Sequence, residues 1–249
     1  MTADPSTVDL NADVGESFGR WTLGDDSALL PWLSSANVAC GFHAGDPLTL
    51  RRTVAEAAGH GVVIGAQVSY RDLAGFGRRE MDVEPDDLAA DVLYQIGGLE
   101  GLCRVAGTQV RYVKPHGALY HRTLKDPRQA EAVAAAVADY DKSLPLMTMS
   151  GGELERAAKA AGLRVVLEGF ADRAYDASGR LVPRTAAGAL LTEPADAARQ
   201  AVTLARSGEV ATLCLHGDTP GAPRIAEAVR AALAGAGITV RPFIIEEDA

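Results

Sequence analysis

The stretch NVACGFHAGD, residues 37–46, clears bulk from both sides of one imidazole, His43, where an apolar run stops, and an acid follows at Asp46. Similar placements recur along the chain. Asn11, Asp13 and Glu16 follow the first apolar run, and Gln67, Arg71 and Asp72 the third. RYVKPHGALY carries Lys114, His116 and Tyr120; VVLEGFADR carries Glu168, Asp172 and Arg173; LCLHGD carries His216 and Asp218. One carboxylate and two imidazoles, Asp13, His43 and His116, make a candidate divalent-metal set with positions left for water. Without metal, an Asp–His pair can act as base toward water. Lys114 and an arginine can pair with a substrate carboxylate or phosphate. No GxSxG elbow is present, which argues against a serine acyl-enzyme.

These residues share one position: each lies at or just past the carboxyl end of an expected strand. The strands read as TVDLNAD, SANVAC, VVIGAQV, RYVKP, LPLMTMS, RVVLEGF and VATLCLHGD, with ITVRPF a short eighth. Between them lie amphipathic helices, the first being DPLTLRRTVAEAAGHG with Asp46 as cap and Pro47 in the first turn. Asp46 is therefore a helix cap before it is a functional acid. His60 and His121 read as surface residues. Repeated β/α units without a linker predict a parallel sheet with helices outside. A closed or nearly closed (β/α) barrel in one domain, residues 1–249, is the favoured arrangement, with an open doubly wound sheet as the alternative. In a barrel all these strand ends face one rim, where catalytic groups gather. The strands look too short and too buried to alternate cleanly.

Composition removes several functions. The 249 residues carry a net charge of −9 and no basic, aromatic-interleaved patch, so neither nucleic acid binding nor a phosphate polymer is expected. Neither GxGxxG after the first strand nor GxxxxGK[ST] occurs. The three cysteines, Cys40, Cys103 and Cys214, form no CxxC and read as reduced thiols in a cytoplasmic protein. The amino terminus shows no leader pattern, and no run approaches a membrane span.

DLNADVGE, SANVACGFHAGDP, KPHGALY, FADRAY, LVPR and HGD occur in this order over nearly the whole chain. Together they resemble the LamB/YcsF family, which includes the A subunit of the bacterial ATP-dependent 5-oxoprolinase. The resemblance implies a seven-stranded TIM-like (β/α) barrel similar to the glycoside hydrolase/deacetylase superfamily. It implies opening of 5-oxo-L-proline to L-glutamate coupled to ATP hydrolysis, with partner subunits B and C handling most of the ATP. On this basis Asp13 and His43 position or deprotonate water and His116 assists as acid or base. Lys114 and Arg173 hold anionic groups, and Asn11, Gln67, His216 and Asp218 complete the substrate-binding rim.

Two departures from the family pattern stand out. GAQVS replaces GAHPG after the third strand, so Gln67 stands where a histidine is expected, which points to binding rather than metal ligation there. SGEVATLCLHGD is also shorter than expected. Two other functions fit the same residues: a stand-alone, metal-dependent amidase or deacetylase, and a non-catalytic scaffold within a larger complex.

Overall fold

Successive side chains of a strand point to opposite faces, and β1 (Thr7–Val14) uses the two faces differently. Asp9, Asn11 and Asp13 turn to one side; Val8, Leu10, Ala12 and Val14 turn to the other, and all seven are buried. The computed structural model describes residues 6–244. Residues 1–5 and 245–249, where the leader reading and the ends of the expected domain fall, lie outside the described residues.

Six more parallel strands complete a ring: β2 (Ser35–Ala39), β3 (Val63–Val68), β4 (Val110–Pro115), β5 (Leu146–Thr148), β6 (Val165–Phe170) and β7 (Thr212–His216). β1 pairs with both β2 and β7, so the sheet closes on itself as a seven-stranded barrel rather than an open doubly wound sheet. β8 (Thr239–Val240) pairs only with Thr7 and Val8, at the amino end of β1. Contrary to the sequence expectation, the strands do alternate. Doubly buried parallel strands usually read as continuous apolar runs; here the inner face is largely polar above an apolar floor, and the outer one is oily.

Among the described residues, eight helices lie around the barrel. These are α1 (Asp26–Leu29), α2 (Pro47–Gly59), α3 (Pro85–Val105), α4 (Gly117–Thr123), α5 (Pro127–Tyr140), α6 (Glu153–Ala160), α7 (Pro194–Ser207) and α8 (Ala222–Gly235). Leu50 and Val54 of α2, Val92 and Ile96 of α3, Val137 of α5 and Val229 and Leu233 of α8 join the outward residues of β1 in one buried cluster. Burying each such side chain contributes about 1.5–3 kcal/mol. That packing holds α3 together despite Gly97 and Gly98, which lie exposed on its outer side and weaken it by about 1 kcal/mol each. Asp46 caps α2 as expected, accepting the Leu48 and Thr49 backbone N–H groups. α1 and the following 3₁₀ turn (Leu30–Trp32) were not foreseen, being too short for a helical period to register.

A small apolar cluster of Tyr112, Met147 and Val166 floors the barrel, with Phe243 packed edge-on to the Tyr112 ring at 5.2 Å. Gly65 faces that ring, and any Cβ there would fall inside contact distance of it.

Above the floor, Asp9 accepts hydrogen bonds from Ser34 (2.7 Å), Ser35 (2.6 Å) and Thr212. Burial nevertheless pushes its carboxyl up to about 6. Between the ordinary value near 4 and about 6, the folded chain keeps a proton that the unfolded chain has lost. Stability from this group is therefore present at acid pH and lost as pH rises through about 6. Urea denaturation of wild type and Asp9→Asn should track that loss. The variant should gain on wild type by on the order of 2 kcal/mol between pH 4 and pH 6.5 and change little above. A constant difference across that range would assign the carboxyl an ordinary titration.

Candidate active site

The polar inner faces stack into a column. Asn11 Nδ2 donates to Thr212 Oγ1 (2.6 Å) and Glu168 Oε1 (3.3 Å), and Asn37 Nδ2 donates to Asn11 Oδ1 (2.7 Å) and Asp13 Oδ1 (2.9 Å). Tyr112 Oη donates to Asn37 Oδ1 at 2.7 Å. Lys114 sits at the centre. Its ammonium lies 2.7 Å from Glu168, 3.3 Å from Asp13 and 3.1 Å from the Cys214 sulfur. Its three protons are thus committed. Burial opposes both charges, but Asp13 holds the Lys114 ammonium well above its ordinary value, and Lys114 holds Asp13 well below. Tyr120, on α4, donates to the second oxygen of Glu168 at 3.1 Å.

At the carboxyl end of the barrel three lone-pair groups converge. Glu16 Oε1 is 3.3 Å from His43 Nε2 and 3.2 Å from His116 Nδ1. The two imidazoles stack with centroids 3.9 Å apart and planes at 14°. His116 Nε2 lies 3.1 Å from the carbonyl of Phe76, which fixes the proton on that nitrogen and leaves Nδ1 as an acceptor. Gln67 Nε2 fits this tautomer, donating to His116 Nδ1 (3.0 Å) and Glu16 Oε1 (3.2 Å). Burial drives all three titrating groups toward neutrality: Glu16 is pushed up to about 7, His43 down to about 4, and His116 below its usual range.

Hydrogen-bonding capacity left over is concentrated here. His43 Nδ1, Gln67 Oε1 and Ser69 Oγ are buried without a hydrogen-bond partner among the described residues. The loop after β3 covers them. Phe76 sets its ring edge-on against His43 (5.7 Å) and His116 (5.5 Å) and takes a left-handed backbone, φ 55°. Gly77 follows at φ 68°, so close that a Cβ would stand 2.8 Å from His116 and 2.9 Å from His43. Only glycine fits such a turn and such an approach. Asp218 clasps the cover, accepting from Arg78 at 2.5 Å and Arg184 at 3.2 Å. A cavity of about 190 Å³ opens beside Glu16 and His43 between Phe18, Trp21, Leu73 and Phe76. The larger clefts, such as one of about 530 Å³ between α5 and α6, have none of Glu16, His43, Gln67 and His116 in their walls.

The expected residues are mostly gathered. Asn11, Asp13, His43, Gln67, Lys114 and His116 meet in the column and its mouth, and His216 joins them from β7, paired with Asp13 across the sheet. Arg173 does not present its guanidinium to them through the bonds it makes; it donates to the carbonyls of Val182 (2.8 Å) and Ala189 (3.4 Å) and braces its own loop. The three donor atoms that lie within 4.8 Å of one another come from Glu16, His43 and His116. Glu16 thus stands where the sequence suggested Asp13, whose nearer approach to His116 is 3.8 Å. Glu16, Glu168 and Asp172 were visible as polar strand-end residues but were not assigned to the site. Asn37 was missed; a lone amide inside SANVA was its only signal.

A profile of the LamB/YcsF family matches residues 8–247. This chain belongs to the LamB/YcsF family. Among its relatives, the 5-oxoprolinase A subunit of Streptomyces avermitilis is 55% identical over 248 residues, covering 95% of this chain and 99% of the relative. That of Nocardia farcinica is 53% identical over 249 residues, covering 95% and 99%. A crystal structure of a lactam utilization protein from Thermus thermophilus superposes with a TM-score of 0.90 at 46% identity, covering 95% of this chain and 100% of that one. The catalytic domain of a peptidoglycan N-acetylglucosamine deacetylase from Eubacterium rectale shares the fold, with a TM-score of 0.53 at 12% identity. The LamB/YcsF barrel and the deacetylase barrel are therefore alike in architecture.

Proposed function

We propose that this chain is the A subunit of a 5-oxoprolinase and hydrolyses the ring of 5-oxo-L-proline to L-glutamate, with ATP used through partner subunits B and C. The observation that carries the proposal is the convergence of Glu16, His43, His116 and Gln67 beside a small cavity in a chain 55% identical to a protein named for that activity. A five-membered lactam is a stable amide with a poor leaving group, so its opening needs an activated carbonyl and managed protons. Phosphorylation of the carbonyl oxygen by ATP supplies the activation, and the partners supply the nucleotide site that no P-loop in this sequence provides. This chain takes the hydrolytic half. Water takes the place of the Gln67 amide on the lone pair of His116 Nδ1, and Glu16 Oε1 and His116 Nδ1 receive the proton that it gives up. Lys114 keeps Asp13 ionised beneath them. Phe76 and Gly77 keep bulk water out.

The donor set also fits a divalent cation. Bonds of 2.0–2.1 Å in a tetrahedron separate neighbouring ligand atoms by roughly 3.3 Å, and Glu16 stands 3.2 Å and 3.3 Å from the two imidazole nitrogens. Such a cation would act as a Lewis acid toward a carbonyl or water oxygen. This favours a second reading, a metal-dependent amidase or deacetylase that works without partners. One experiment separates the two. The purified chain is assayed for glutamate release from 5-oxo-L-proline alone, with Zn²⁺, and with candidate subunits B and C plus ATP. Release only in the last mixture is expected. Partner-free, chelator-sensitive hydrolysis of a simple amide would replace the proposal with its rival.

A further inference from the structure

One carboxylate at the mouth grips one histidine twice. Asp172 Oδ2 accepts the backbone N–H of His216 at 2.9 Å, and Oδ1 lies 2.9 Å from its Nδ1. Asp172 is 1% exposed, and burial alone would raise its carboxyl, but contact with His216 holds it below the ordinary value. The ring plane of His216 is fixed by Phe170, stacked at 5.7 Å and 17°. The grip sets the proton of Nδ1 toward Asp172 and leaves Nε2 as the free nitrogen, with no hydrogen bond among the described residues. A carboxylate held this way orients an imidazole and fixes which of its nitrogens faces away from the carboxylate.

Position gives the dyad its meaning. His216 ends β7 and pairs with Asp13 on one side of β1, whereas His43 follows β2, the neighbour on the other side. Two imidazole centres therefore flank Asp13. Lactam hydrolysis needs two proton transfers in different places, one off the attacking water and one onto the departing nitrogen. The Glu16–His43–His116 group occupies one flank.

We propose that His216 Nε2 donates the proton to the ring nitrogen and that Asp172 is its positioning residue, an inference that rests on the lactam-opening reading above. Water oxygen bonds to the ring carbonyl carbon as its proton passes to the opposite flank. The added hydroxyl gives up its remaining proton as the carbon–nitrogen bond breaks; the bond's electron pair stays on nitrogen and takes the Nε2 proton of imidazolium, and the acyl phosphate left on carbon is hydrolysed by a second water to carboxylate and inorganic phosphate. His216 is left neutral and regains its proton from solvent.

Steady-state kinetics of the reconstituted enzyme with ATP test this. His216→Ala should lower kcat by about 10²-fold or more, within the usual contribution of a general acid, with KM for 5-oxo-L-proline within about threefold. Added imidazole should restore part of the loss. The isosteric Asp172→Asn should lower kcat by at least about tenfold at unchanged KM, and it carries the test if His216→Ala does not fold. A rise in KM at unchanged kcat in either variant, or an Asp172→Asn kcat within about twofold of wild type, overturns the proposal. A wild-type complex that releases no glutamate overturns the lactam reading itself; an active one with unaffected variants overturns this inference alone.

Discussion

His116→Ala should abolish ATP-dependent glutamate release, by about 10³-fold or more, while the chain still unfolds cooperatively. The ring touches every member of the mouth cluster: it stacks on His43, accepts from Gln67, faces Glu16 and donates to the Phe76 carbonyl. Removing it takes away a proton acceptor, worth about 10²–10⁴-fold alone, and also unfastens the loop that excludes water. The fold should survive because the barrel is held by the apolar layer outside it, to which His116 does not belong. Glutamate release near the wild-type rate would show that the chemistry lies elsewhere. Urea denaturation would separate loss of chemistry from loss of structure.

Lys114→Met should be the most destabilising change in the lining. It keeps the approximate length and bulk but removes the only cation among the described partners of two buried carboxylates, Asp13 and Glu168. Breaking one side of a buried ion pair costs about 3–5 kcal/mol, because the surviving charge is left in a poorly solvating interior. Its sign with pH is also set. Without the ammonium, burial favours the protonated Asp13 carboxyl, so the folded variant binds protons more readily than the unfolded chain. Its deficit relative to wild type should then be larger at pH 8 than at pH 5. Equal deficits at the two values would mean that Lys114 acts mainly by packing.

Much of this arrangement was legible in the sequence. The breaks in hydrophobicity, with Asp46 and Pro47 at one helix start, were enough to place the strands and long helices, because hydrophobic period and capping are local properties. Convergence of Asp13, His43 and His116 followed from the geometry of strand ends in a closed barrel. What stayed hidden was decided by distance in space. Glu16 lies three residues past Asp13, and nothing local says that a turn at Gly15, φ 71°, carries the later acid to the imidazoles. For Arg173, expected to hold an anionic group, two guanidinium nitrogens donate to the carbonyls of a loop whose path no short-range signal describes. The polar lining was misjudged because VDLNADV can be sorted into two faces only once the inside of the ring is known to be wet.

The saturation of that lining has a consequence for how the protein can change. Asn11, Asn37, Lys114 and Glu168 each answer a neighbour's donor or acceptor, so a single replacement strands a second residue that was not touched. The oily shell outside can exchange Leu, Ile and Val one at a time at small cost. Redesigning the pocket for a different ring would therefore require swapping residues as matched sets, such as Lys114 together with both of its acids, and directed evolution by single steps should stall there.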